Sequence, residues 1–388
     1  MTTTIEVHGV CDNRFAAVRD AFAENFATQG EVGAAVAVCL DGEAVVDLWA
    51  GHADEARSRP WQRDTIVNVY STTKGMAAIC ALRLVERGLL DLDAPVARYW
   101  PEFAQAGKEE LPVRYLLSHR AGLPAVKEDL PPGAIYDWDT MTAALAAQVP
   151  WWEPGTMHGY HALTYGWLVG EVVRRISGKS PGAYFRDEVA VPLGLDFHIG
   201  LAPEHDGRTA EMISPPREEF ENSSLAEVFR DPQSMAYKAF MMAPDLLVPG
   251  HVNSRQWRAA ELPAANGHGD ARALARLYGA LARGGSLDGV RVLGREAIDQ
   301  AIEEQSYGVD AILTLPTRFG LGFMLTMPEM PLGPNPRSFG HGGLGGSLGF
   351  ADPDAGAGFG YVMNKMLLSP DLVDPRLPPL VNAVYSSI

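Results

Sequence analysis

The sequence predicts an α+β fold: one antiparallel sheet flanked by helices, assembled from both ends of the chain, with a mostly helical domain inserted between them. Three observations carry that expectation. Strand-like runs cluster before Tyr70 and after Gly285. The stretch between them alternates helical patterns with loops rich in Pro and Gly. Two early runs are also joined by Asp41-Gly42, a dipeptide that supplies the positive φ of a tight hairpin turn and so makes its flanking strands antiparallel neighbours. The expected division puts residues 1–70 and 286–388 in the sheet domain and 71–285 in the helical one.

In chain order, Phe15, Val18, Phe22 and Phe26 recur at helical spacing, giving an amphipathic helix that Gly30 and Gly33 close. The hairpin follows, with strands over 34–40 and 43–51. A β-branched run from Thr65 to Tyr70 reads as a third strand and delivers Ser71 into a helix marked by Ile79, Leu82 and Val85, with Gly88 as its C-terminal glycine. Arg114 to Pro124 reads as a helix end and its turn, in which His119 is structural. From Ser214 to Gly250 no element is assigned, and Met235, Met241 and Met242 are expected to fill core. Asp270 caps a last long helix with Leu274, Leu277 and Leu281 on its apolar face, ended by Gly284-Gly285. Strand patterns return at 319–325, 339–341, 347–351 and 358–363, and residues 377–385 form a helix that packs on the sheet. There is no internal repeat and no low-complexity segment.

Composition narrows the function. A chain of 388 residues, 47% hydrophobic and 21% charged, can bury a sizeable core. Its formal net charge of -16 repels a phosphate backbone and an anionic membrane surface, so small neutral or cationic molecules are the expected partners. Cys11, Cys39 and Cys80 are odd in number and far apart, which reads as reduced thiols and not as a disulfide framework. Residues 1–8 carry neither a basic region nor an apolar block, and no apolar run approaches the ~18 residues of a membrane span. A cytoplasmic protein is expected.

The chemistry gathers at Ser71 and Lys74. Three apart on a helix, the two side chains are neighbours, so an amine can lie against a hydroxyl. A serine is a weak nucleophile until a base takes its proton, and a lysine serves as that base once desolvation or a nearby cation lowers its pKa. The position at a helix N-terminus adds backbone N–H groups where negative charge develops. The plainer alternative is a capping cluster of Ser and Thr at the start of a core helix. Tyr160, on a loop before a second helical pattern, is a candidate proton acceptor if a positive charge beside it lowers its pKa of ~10; otherwise it is an aromatic packed in a loop.

Other readings fail on the residues. Gly345-Gly346-Ser347-Leu348-Gly349 and Gly178-Lys179-Ser180-Pro181-Gly182 both match Gly-x-Ser-x-Gly. No histidine follows His341 to complete an α/β-hydrolase order after Ser347, and Pro181 lacks the N–H that an oxyanion donor after Ser180 must supply. His158 and His161 have a spacing that two metal ligands could share, but no third ligand accompanies them, so no metal site is expected.

Ser71-Thr72-Thr73-Lys74, Tyr160-His161-Ala162 after a Pro-Gly-Thr, and His341-Gly342-Gly343 together resemble the three-motif layout of the serine β-lactamase and penicillin-binding-protein superfamily. Within it the chain resembles the family VIII carboxylesterases, the esterase branch related to class C β-lactamases. Ser118 to Pro124 and Gly267-His268-Gly269 share in the resemblance, which spans nearly the whole chain. It implies a β-lactamase/transpeptidase-like fold and a serine carboxylesterase that hydrolyses small, short-acyl esters without a cofactor. Ser71 is then the acyl-accepting nucleophile, and Lys74 and Tyr160 share the general-base role. The backbone N–H groups of Ser71 and Leu344 form the oxyanion hole, with His341, Gly342 and Gly343 binding substrate. His341 takes the place of the usual lysine and would hydrogen-bond Tyr160 or the substrate.

Two departures from the β-lactamase pattern matter. Ala162 stands where that pattern has Asn, and His341-Gly342-Gly343 where it has Lys-Thr-Gly. A carboxylate-bearing β-lactam then loses an amide contact and, with histidine's pKa of ~6.5, a full positive charge at neutral pH. A class C-like β-lactamase or D-alanyl-D-alanine peptidase is the nearer alternative. A catalytically silent binding module of the same fold is the more distant one, which loss of Ser71, Lys74 or Tyr160 would have favoured.

Overall fold

The fold is that of a computed structural model, which describes residues 5–215, 218, 221, 222, 226, 230–242, 248, 250–369 and 373–388. Its frame is a nine-stranded sheet. The strands are β1 (Val7–Cys11), β2 (Gly33–Leu40), β3 (Glu43–Gly51), β4 (Ser306–Val309), β5 (Pro316–Phe319), β6 (Met324–Leu325), β7 (Phe339–Gly342), β8 (Leu348–Asp352) and β9 (Ala357–Met363). They lie in the order β1-β3-β2-β9-β8-β7-β6-β5-β4, and every pairing is antiparallel. The two ends of the chain meet at β2 and β9, in register from Ala34↔Met363 to Leu40↔Ala357. The sheet is thus built from both chain ends, as the distribution of strand patterns predicts.

The third N-terminal strand is a different one from that expected. Of residues 65–70 only Val67–Asn68 is a strand, and it belongs to a separate three-stranded sheet with His268–Gly269 and Phe197–His198. Residues 65–69 are all buried, so the β-branched residues carry no alternation that would tell a main-sheet strand from a short internal one. The actual third strand, β1, is an edge strand with its middle three residues exposed, and its short mixed sequence gives no apolar signal. Residues 319–325, expected as one strand, form parts of two: β5 and β6 joined by a turn in which Gly322 has φ 84°.

The principal helices are α1 (Ala16–Thr28), α2 (Thr73–Glu86), α3 (Thr164–Ser177), α4 (Ala271–Ala282) and α5 (Leu377–Tyr385). α2 packs on α3, and α1 on α5. α4 lies across the sheet over β9, β2 and β8, although it falls within the range expected of the helical domain. Its start is fixed by Asp270, whose side chain accepts a 2.7 Å hydrogen bond from the Ala273 N–H. The approach is close because glycine faces it. A Cβ at Gly360 would stand 2.2 Å from the Ala271 carbonyl oxygen, and one at Gly358 2.1 Å from the Gly279 nitrogen. Of the Met-rich stretch, Met235–Met241 is a short helix, while much of 214–250 lies outside the described residues. Cys11, Cys39 and Cys80 are all free thiols. Among the described residues no helix is long and apolar enough to cross a membrane.

One buried ion cluster ties the segment before α5 to the rest. The guanidinium of Arg376, wholly buried, donates to Glu31 at 2.9 Å, to Asp374 at 2.8 Å and to the backbone oxygens of Lys365 at 2.9 Å and Gly345 at 2.6 Å. The last of these anchors the loop after β7. Arg376→Ala leaves two buried carboxylates without their cation, and denaturant unfolding is expected to show a loss of about 3–5 kcal/mol. Arg376→Lys, which keeps the charge but not the fork, is expected to fall between the two.

Candidate active site

The turn into α2 sets the nucleophile in place. Tyr70 has φ 44°, in the left-handed region, and the Thr72 and Thr73 N–H groups bond back to Val69 and Tyr70. The chain thereby swings from the short strand into α2, leaving Ser71 just ahead of the first helical turn, with its carbonyl accepting from the Lys74 N–H at 2.9 Å. Lys74 Nζ stands 3.2 Å from Ser71 Oγ, the contact that the three-residue spacing predicts.

Lys74 is completely buried, and besides Ser71 its nitrogen reaches the carbonyl oxygens of Ala162 at 2.8 Å and Ala264 at 3.0 Å. Burial drives its pKa well below the usual lysine range, and no carboxylate is among the causes that act on it. A neutral amine has two N–H donors and one lone pair. The two carbonyls take the two donors, and the lone pair is left facing the Ser71 hydroxyl, which then donates to it. The geometry therefore suits an amine poised to accept a proton.

Tyr160 is brought to the same place, its ring centroid 4.6 Å from Lys74 Nζ and its side chain lining the same cavity as Ser71. Burial raises the phenol's pKa, outweighing the Ser71 hydrogen bond that lowers it, so Tyr160 keeps its proton at neutral pH.

Asp310, which sequence reasoning missed, fixes the Tyr160 backbone. Its buried carboxylate accepts from the N–H groups of Tyr160 at 2.9 Å, Ile312 at 2.8 Å and Leu313 at 2.9 Å, and from the Thr317 hydroxyl at 3.3 Å. A lone Asp after β4 reads only as a turn residue, so the sequence offers no signal for this role. His119 packs its ring against Tyr160, Tyr165 and Phe319, and its Nδ1 accepts from the His161 N–H at 3.1 Å. His158 pairs with Thr317 at 2.9 Å, while the His161 side chain bonds the backbone at Leu123 and Gly159. Among the described residues no group of three His, Cys, Asp or Glu could hold a metal ion.

The third motif closes the site. His341 is buried, and its Nδ1 lies 2.6 Å from the Gly342 carbonyl oxygen, so Nδ1 carries the proton and Nε2 is a bare acceptor. Among the described residues that Nε2 has no hydrogen-bond partner. Its ring stands 6.2 Å from that of Tyr160, and of the two bonding partners expected for it Tyr160 is not taken. Burial lowers its pKa to about 3, which keeps it uncharged at neutral pH. Gly343 is required by space: a Cβ there would stand 2.2 Å from both the Val69 carbonyl and Ser347 Oγ, whereas at Gly342 the nearest atom is 3.8 Å away. The two decoy serines are structural. Ser347 Oγ donates to Val69 at 2.8 Å, and Ser180 caps residues 181–185.

Ser71, Tyr160, His341, Gly342, Gly343 and Leu344 all line one cavity of about 470 Å³, whose wall is largely Leu, Met, Phe, Pro and Val. A Ser-x-x-Lys pair at the head of a helix, its lysine buried and its serine facing a cavity, under a strand that ends in the third motif, defines a protein of the serine β-lactamase type. The chain belongs to the Beta-lactamase family, whose model matches residues 18–381. It is 42% identical over 375 residues to the esterase/beta-lactamase LipL of Mycobacterium tuberculosis, covering 93% of this chain and 83% of that protein. Among solved structures it is similar to a family VIII carboxylesterase, at 44% identity with a TM-score of 0.89 over 99% of this chain and all of the other. It is also similar to a penicillin-binding protein homolog from Caulobacter crescentus, at 41% identity and a TM-score of 0.88 over 99% of this chain and all of the other.

Two substitutions separate space from chemistry. Gly343→Ala is expected to lose both stability and activity, and Gly342→Ala to keep the wild-type melting temperature, as thermal unfolding and turnover will report. Asp310→Ala orphans four donors at about 1–3 kcal/mol each before relaxation, so a loss of several kcal/mol is expected in denaturant unfolding. Asp310→Asn keeps an accepting oxygen and should lose much less.

Proposed function

We propose that the chain is a serine carboxylesterase acting on small, short-acyl carboxylic esters through an acyl-Ser71 intermediate. The observation that carries this reading is the buried Lys74 amine 3.2 Å from Ser71 Oγ, held by two backbone carbonyls. Ser71 Oγ attacks the ester carbonyl while Lys74 takes its proton. The carbonyl oxygen, now an anion, is held by the N–H groups of Ser71 and Leu344. The alkoxide leaves with a proton passed from Lys74 through the Tyr160 phenol, and water then releases the acyl group by the same route in reverse. Tyr160 on this account relays a proton as a phenol, and Lys74 is the immediate base.

The uncharged His341 favours esters over β-lactams, because it offers no cation to a carboxylate. β-Lactam hydrolysis remains the second reading, supported by LipL, which is called both esterase and beta-lactamase. A silent binding module is disfavoured by the intact contact among Ser71, Lys74 and Tyr160. The three free thiols suit a reducing compartment and support a cytoplasmic location. The partner is a small-molecule ester.

The test sets a short-chain nitrophenyl ester beside a chromogenic cephalosporin. The ester should be the better substrate by far, and Ser71→Ala should lose its turnover by about a thousandfold or more. Lys74→Arg, which cannot give up its proton, should cost at least about a hundredfold in kcat. A cephalosporin turned over as fast as the ester would replace the first reading with the second.

A further inference from the structure

We infer that the apolar cavity opening on Tyr160 receives the alcohol part of the ester, and that the preferred substrates are short-acyl esters of long or bulky apolar alcohols. This rests on the esterase reading above. The cavity's volume of about 470 Å³ falls within the roughly 300–1,000 Å³ of sites that enclose a whole drug-sized ligand. A methyl or ethyl ester would leave most of it unfilled. Met324, Leu325, Leu332, Leu344, Leu348 and Val381 supply an apolar wall that runs from the third motif to α5.

The direction of the substrate follows from where its proton must go. In acylation the bond from Ser71 Oγ to the acyl carbon forms, the bond from that carbon to the alkoxy oxygen breaks, and the serine proton ends on the alkoxy oxygen. With the carbonyl oxygen held by the N–H groups of Ser71 and Leu344, as in the mechanism proposed above, the alkoxy oxygen faces the proton donor. That donor, Tyr160, lines the cavity together with Leu313 and Phe319, whose ring is stacked on it at 6.1 Å between centroids. The carbon chain on the departing oxygen is therefore delivered into the apolar space. His341, whose buried Nε2 has no hydrogen-bond partner among the described residues, lines the same cavity and offers that nitrogen to the hydroxyl hydrogen once the alcohol is free.

The experiment measures kcat/KM of the full chain on two ester series: acetates of ethanol, butanol and octanol, and ethyl esters of acetic, butyric and octanoic acids. The rate constant is expected to climb along the alcohol series, by about fourfold for each methylene that enters the cavity, and to fall along the acyl series. Octanol should inhibit nitrophenyl acetate turnover competitively at concentrations where ethanol has no effect. Val381→Trp should lower the ratio of octyl acetate to ethyl acetate turnover by about tenfold or more; if that variant does not fold, octanol inhibition of the wild type decides. A rise along the acyl series alone, equal rates in both series, or no inhibition by octanol overturns the inference while the esterase reading stands. If no ester in either series is hydrolysed, the esterase reading itself falls.

Discussion

The site depends on one cost that the fold sustains: a lysine amine placed where water cannot reach it. An ammonium in such a place is disfavoured by several kcal/mol, and among the described residues no carboxylate pairs with it. Burial therefore favours the neutral amine, the form that can take a proton. Two backbone carbonyls, Ala162 and Ala264, hold it by its remaining hydrogens and leave its lone pair toward Ser71. Backbone oxygens suit the task better than carboxylates, since they orient the amine without restoring its charge.

Each wall of that pocket comes from a different part of the chain, which accounts for the breadth of the fold around so small a site. α2 carries Lys74 and the turn that leads into it Ser71, the loop before α3 brings Tyr160 and the Ala162 carbonyl, and the turn before the short strand at His268 brings Ala264. The sheet contributes β7 with its third motif, pressed so near Val69 that only glycine fits at 343. Arg376 reaches from the far end of the chain to the Gly345 carbonyl and steadies the loop that follows β7. Asp310 does the same for the Tyr160 backbone.

Much of this was legible in the sequence, for identifiable reasons. Ser71 and Lys74 are local neighbours on one helix, so their contact follows from helical spacing alone. The hairpin at Asp41-Gly42 and the capped helix at Asp270 announce themselves by turn and cap chemistry. Tyr160 and His341 reach the site only through tertiary packing, and a resemblance to known motifs had to supply them. What remained hidden was of two kinds. Backbone groups such as the Ala162 and Ala264 carbonyls leave no trace in residue identity. The environment of a side chain, which decides whether Tyr160 is pushed toward or away from ionisation, depends on burial that a sequence does not display. β1 was missed because an exposed edge strand needs no apolar pattern, and the run at 65–70 misled because the burial of 65–69 removes the alternation that distinguishes one kind of strand from another.

The central claim is that Lys74 is a neutral base under the conditions in which Ser71 reacts. The most direct measurement is the pH dependence of Ser71 phosphonylation by a fluorophosphonate ester mimic, followed by intact-protein mass. A buried, neutral amine predicts a rate that reaches its plateau well below the ~10.4 of an ordinary lysine. A rate that is still climbing through that pH, or a plateau unchanged in Lys74→Met, would contradict the account.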